Sequence, residues 1–245
     1  MEAAAADALR PHVSVHDDGW TLRVDGTGVV RRANAVLPRA AGSDPLAAKL
    51  ARAEAWYRAR GRAPRFLMAP DAEPTDLVDA LRTAGYRFEV PVLVLVRDLG
   101  PDAVTAAEDA EVALTADADW RAAYAATLPE DERAERLRLA VAAPMPRAYV
   151  AVGADGCGLA VRSGDLVGLF DVATAPHARR RGVARRVTAA LLAWGATQGA
   201  RRAYLQVSEA NEAGRALYAG FGFRPAYRYV YAVAPSDLEL GAVPQ

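Results

Sequence analysis

Apolar residues in the carboxyl-terminal half recur at two spacings, and each change of spacing marks a new element. Residues 149–152 form a short apolar run that predicts a strand, closed by the turn Gly153-Ala154-Asp155-Gly156. Residues 157–162 predict a second strand, and Ser163-Gly164-Asp165 a tight turn into a third over 166–174. Val183, Val187, Leu191 and Trp194 then fall four, four and three apart, which is one helical face ending near Gly199. Residues 203–207 predict a strand, 212–219 a helix stopped by Gly220-Phe221-Gly222, and 225–233 a last strand with Tyr227, Tyr229 and Tyr231 on one face. Upstream, 117–127 and 130–142 have helical spacing.

The first hundred residues echo this order. Ala55-Trp56 matches Ala193-Trp194, Gly61 matches Gly199, and Phe66-Leu67-Met68 parallels Tyr204-Leu205-Gln206 at one common offset. Gly85-Tyr86-Arg87 parallels Gly222-Phe223-Arg224 one residue out of that register. The recurrence predicts a duplication, with residues 1–98 and 113–245 as two domains and the Gly100-Pro101 segment, 99–112, as connector.

Composition narrows the function classes. The 245 residues suffice for one large domain or two smaller ones, and 52% apolar content supports a sizeable core. Zero formal net charge argues against a general nucleic-acid binder. Lys49 is the only lysine among 30 basic residues, so arginine richness is a compositional bias and weak evidence for any site. The single cysteine, Cys157, forms no internal disulfide and reads as a buried strand residue in a reducing compartment. The MEAAAADALRP segment lacks the order of a signal peptide and no apolar run approaches a membrane span. The expectation is a soluble cytoplasmic protein without membrane contact.

The chemistry-bearing stretch is LFDVATAPHARRRGVARRV, in which a strand leads through Pro176 into Arg179-Arg180-Arg181-Gly182-Val183-Ala184 and a helix. A helix start offers unpaired N–H groups and the positive end of the helix dipole, and a glycine there admits an anion to the backbone. A second block follows 27 residues after Ala184, with Asn211, Gly214, Leu217, Tyr218, Gly222 and Phe223 in the order N-x-x-G-x-x-L-Y-x-x-x-G-F. The two motifs together resemble the GCN5-related N-acetyltransferase (GNAT) superfamily from about Ala113 to Val233. The amino-terminal half resembles a degenerate copy, as in tandem-repeat members.

The resemblance implies an α/β (α+β) fold of two tandem GNAT-like domains, each a mixed, mostly antiparallel sheet flanked by helices. It implies acetyl-CoA as cosubstrate and no metal. Val172, Ala173 and Thr174 are expected to bind the pantetheine arm through their backbone. Arg179, Arg180, Arg181, Gly182, Val183 and Ala184, with Arg185 close by, are expected to hold the pyrophosphate. Asn211 is expected to contact the cofactor arm, to cap its helix, or both. Tyr218 occupies the position of the general acid that protonates the departing thiolate. The acceptor is expected to be a primary amine of a small molecule or a protein N-terminus.

The general base is open. Gln206 stands where some relatives carry a carboxylate, and Asp171 and Glu209 lie nearby with facings that alternation does not settle. Without a base, the competing reading is a non-catalytic acyl-CoA-binding sensor or scaffold. In the first half Ala41-Gly42-Ser43-Asp44, Pro74 and Leu81 replace the functional positions, so no cofactor is expected there. A duplicated chain is expected to be a monomer. His12 and His16 flank a strand pattern without a third ligand, and His177 is expected to be exposed.

Overall fold

The computed structural model describes residues 1–100 and 109–235. Its first part runs α1 (Glu2–Asp7), β1 (Val13–Asp17), β2 (Trp20–Val24), β3 (Val36–Pro38), α2 (Leu46–Arg58), β4 (Arg65–Met68), α3 (Leu77–Thr83), β5 (Arg87–Phe88) and β6 (Val92–Asp98). The second runs β7 (Glu111–Ala113), α4 (Ala118–Ala126), α5 (Glu130–Val141), β8 (Arg147–Val152), β9 (Gly156–Ser163) and β10 (Leu166–Thr174). It closes with α6 (Val183–Thr197), β11 (Arg202–Ser208), α7 (Glu212–Ala219) and β12 (Arg224–Val233). The elements expected after residue 117 are all present, with ends shifted by one or two residues. Of the expected connector, Glu111–Ala113 is instead strand, paired antiparallel with Tyr149–Ala151; residues 101–108 lie outside the described residues.

Two compact units form, each from separate stretches of chain. The first joins Met1–Arg10 to Leu93–Ala226; the second joins Pro11–Val92 to the chain from Tyr227. The first thus adds α1 to its main segment, and the second takes the later part of β12.

In the first unit the strand order is β6-β11-β10-β9-β8-β7, antiparallel from β7 to β10 and parallel between β10 and β11. Alternation along β8 and β9 feeds two cores. Ala148, Val150, Val152 and Ala160 pack with Val183, Val187 and Leu191 of α6, while Tyr149, Ala151, Leu159 and Val161 pack with Trp120 and Tyr124 of α4. Helix α6 lies close to the sheet because glycines face it. A Cβ on Gly158 would stand 2.7 Å from Val187 Cγ1 and 2.8 Å from Leu191 Cδ1.

The second unit has the order β1-β2-β3-β4-β12, with β5 also on β12; β3–β4 is its parallel pair. Its core centres on Trp20, Tyr57, Phe66, Leu77, Leu81 and Tyr86, with Trp20 edge-on to Phe66 at 5.6 Å. The fold is mixed α/β, with mostly antiparallel strands flanked by helices. No helix among the described residues is long and apolar enough to cross a membrane.

Candidate active site

In the first unit, parallel pairing of β10 with β11 ends at Leu169–Leu205, although both strands run on. A bulge between Phe170 and Ala173 redirects β10, with Asp171 at φ 51°. On the unpaired lengths, Thr174 Oγ1 and Gln206 Nε2 are buried without a hydrogen-bond partner. Buried polar atoms are normally satisfied, so two orphans on neighbouring strand ends mark a place for a polar, extended ligand. An amide-bearing arm such as pantetheine fits there.

Beyond Thr174 the chain makes a short 3-10 turn at Pro176–Ala178 and then reaches Gly182, the N-cap of α6. Arg180 and Gly182 both take left-handed backbone, at φ 65° and 78°. Such alternation points successive amides into one concavity, and no side chain caps the helix start. Buried Ala178 and Val183 anchor the turn, and Arg179, Arg180 and Arg181 stand exposed around it. These are features that suit a pyrophosphate. Arg185 lies over the Phe221 ring at 5.2 Å, joining the first turn of α6 to the end of α7.

Asn211 caps α7, its side-chain oxygen accepting from Gly214 N at 2.9 Å. Tyr218 packs with Val172 against the core beneath α6 and lies edge-on to Phe223 at 5.9 Å. Burial pushes its phenol up to about 12, so it is protonated at neutral pH.

The bulge settles the facing of Asp171. Its carboxylate accepts a hydrogen bond from the Tyr124 hydroxyl of α4 and lies near Arg136 of α5. Burial raises it above the ordinary carboxylate range, while Tyr124 and Arg136 oppose that shift. Arg136 is itself fixed by Glu132, Nε to Oε2 at 2.5 Å. Cys157 is fully buried with its Sγ 4.0 Å from the Asp171 carbonyl oxygen, and burial raises its thiol to about 12. Sequence reading missed Tyr124, Glu132 and Arg136; only the i,i+4 spacing of the last two signalled a pair.

In the second unit the turn before α2 is filled from within. Ser43 N and Asp44 N donate to the Asp18 carboxylate at 2.8 and 3.0 Å, and Ser43 Oγ adds a third bond at 3.1 Å. A Cβ on Gly42 would come within 2.2 Å of Asp18. Those bonds, with Lys49 at 3.3 Å, hold Asp18 far below its ordinary range. Asp44 pairs with Arg52 at 3.0 Å. Leu81 is buried in the core.

The other candidates are structural. His12 lies 2.6 Å from Asp25 and His16 3.0 Å from Thr21, and no group of three metal-ligating side chains occurs among the described residues. His177 is exposed beside Asp155. Tyr229 and Tyr231 are buried edge-on to each other at 5.5 Å, with Tyr227 half-buried.

The bulged strand, the parting of β10 from β11 and the glycine turn at the start of α6 define a GNAT fold. A GCN5-related N-acetyltransferase from Kribbella flavida superposes with a TM-score of 0.67 at 16% identity, covering 95% of this chain and 93% of that one. A tandem GNAT protein from the clavulanic acid biosynthesis pathway gives 0.56 at 14%, covering 77% and 69%. Residues 1–232 match the family described as "Probable histone acetyltransferase Rv0428c C-terminal". The "Probable histone acetyltransferase Rv0428c" of Mycobacterium tuberculosis (strain ATCC 25618 / H37Rv) is 32% identical over 246 residues, spanning 95% of this chain and 73% of that protein. The chain belongs to this family, and its fold is that of the GNAT structures.

Proposed function

We propose that the chain transfers acetyl from acetyl-CoA to a primary amine at the cleft between β10 and β11. The observation that carries this reading is the uncapped Gly182 turn next to two strand ends with orphaned polar atoms. Val172, Ala173 and Thr174 hold the pantetheine arm, and the amides from Arg180 to Arg185 hold the pyrophosphate. Bound acetyl-CoA supplies an acyl carbon activated by a thiolate leaving group. Asp171 accepts the proton that the attacking amine loses, directly or through one water, and the Tyr218 hydroxyl donates a hydrogen bond to the departing sulfur while solvent completes its protonation. Tyr124 and Arg136 keep the Asp171 carboxylate in one orientation.

We read the chain as two GNAT-like repeats, a degenerate one in residues 1–98 and a catalytic one in 113–245. A parallel pair in each unit and the tandem neighbour support this. Asp18 in the first repeat's turn supports one cofactor per chain. The chain works as a cytoplasmic monomer. Thiol release from acetyl-CoA, measured with histone-tail peptides, peptide N-termini and small amines, tests the reading; release dependent on one of these amines supports it. Tight acetyl-CoA binding with no release on any amine would favour the non-catalytic module, for which Gln206, in place of a carboxylate, speaks.

A further inference from the structure

The second unit contains a cavity of about 170 Å³ lined by Thr27, Gly28, Asn34, Tyr57, Arg62 and Arg65, with no carboxylate in its wall. It stands at the start of β4, where Arg65 opens the strand. Arg65 Nε is buried without a hydrogen-bond partner, and its guanidinium meets no carboxylate among the described residues. Arg65 is half-buried, and a partly desolvated guanidinium with no anion beside it leaves room for one.

The walls are already fixed. Arg62 donates to Thr27 O at 2.7 Å and to Gly26 O, which pins the Gly26–Gly28 loop over the opening. The Tyr57 hydroxyl donates to Arg23 O at 2.8 Å and accepts from Arg23 N at 3.2 Å. The Asn34 amide donates to Val30 O and accepts from Asp25 N. Gly28 stands at φ 92°, and a Cβ there would come 3.4 Å from Arg62 Nη1. What these walls leave for a ligand is the fork of Arg65 with the neighbouring charge of Arg62.

We propose that this cavity is a binding site for the phosphate group of a small molecule, separate from the acetyl-transfer cleft. A guanidinium matches a phosphate in two parallel hydrogen bonds. The volume is below the roughly 300–1,000 Å³ of drug-sized sites, so it suits a phosphate with a short stem rather than a nucleotide. The site does not depend on the acetyl-transfer reading.

The probe is orthophosphate, titrated calorimetrically into the full chain at constant ionic strength, with chloride and malonate as controls. Arg65→Gln is expected to weaken binding about tenfold or more, and Arg133→Gln on the exposed face of α5 to leave it within about twofold. Crystals soaked in tungstate give a readout independent of the stability of the variant: a heavy-atom peak beside Arg65 supports the site. A peak confined to the Gly182 turn, an unchanged affinity in Arg65→Gln, or malonate binding as tightly as phosphate would overturn the proposal.

Discussion

Tyr218→Phe removes one oxygen and leaves the ring against Phe223 and the core beneath α6. The hydroxyl makes no hydrogen bond among the described residues, so its loss costs little stability and Tm is expected to move by no more than about 1 °C. The catalytic effect follows from the phenol, pushed up to about 12. A thiol ordinarily titrates near about 8.5, so full transfer from the phenol is uphill by about 3.5 pH units. The hydroxyl then acts chiefly by hydrogen bonding to the charge that develops on sulfur, with solvent completing the protonation. That places the loss at the lower end of general-acid effects, about 10²-fold in kcat or ~2.7 kcal/mol, with KM for acetyl-CoA within about twofold. No alkaline fall in kcat from this group is expected below about pH 10. Steady-state thiol release on the two proteins is the assay. A kcat within threefold of the parent would refute the role given to Tyr218.

Three further outcomes are expected. Asp171 must be ionised to accept a proton, so kcat should rise with pH through a value above the ordinary 3.8 and then level; Asp171→Asn should flatten that limb and lower kcat about 10–10³-fold. Because the folded state disfavours its ionised form, Asp171→Asn should keep or raise Tm at pH 8, and a Tm loss of several degrees would count against the burial argument. Gly158→Val should destabilise by about 1–3 kcal/mol in urea unfolding, since the new Cβ meets Val187 and Leu191 inside 3 Å. Asp18 has a depressed folded pKa, so its contribution is present above its unfolded value near 3.8 and lost as pH falls below it; Asp18→Asn should lessen that acid sensitivity in thermal melts between pH 5 and 2.5.

Local signals were the legible ones. The four-four-three spacing of Val183, Val187, Leu191 and Trp194 placed α6, and all four are buried. Gly182 was readable because a glycine between a strand and a helix has few other uses, and it does stand at positive φ. Asp171 was not readable, since a bulge breaks the alternation from which a facing is inferred. The internal carboxylate in the second unit was hidden for another reason: Asp18 lies 25 residues before Ser43, and only the β1–β2 turn brings it there. Arg65 looked like one arginine among many, and its missing partner is a property of packing.

The most direct test of the account is a crystal structure of the full chain with CoA. Diphosphate oxygens within hydrogen-bond distance of the Val183, Ala184 and Arg185 amides, with the arm between β10 and β11 and one CoA per chain, is the predicted result. A diphosphate bound away from that turn, or a second CoA displacing Asp18 from Ser43 and Asp44, would contradict it.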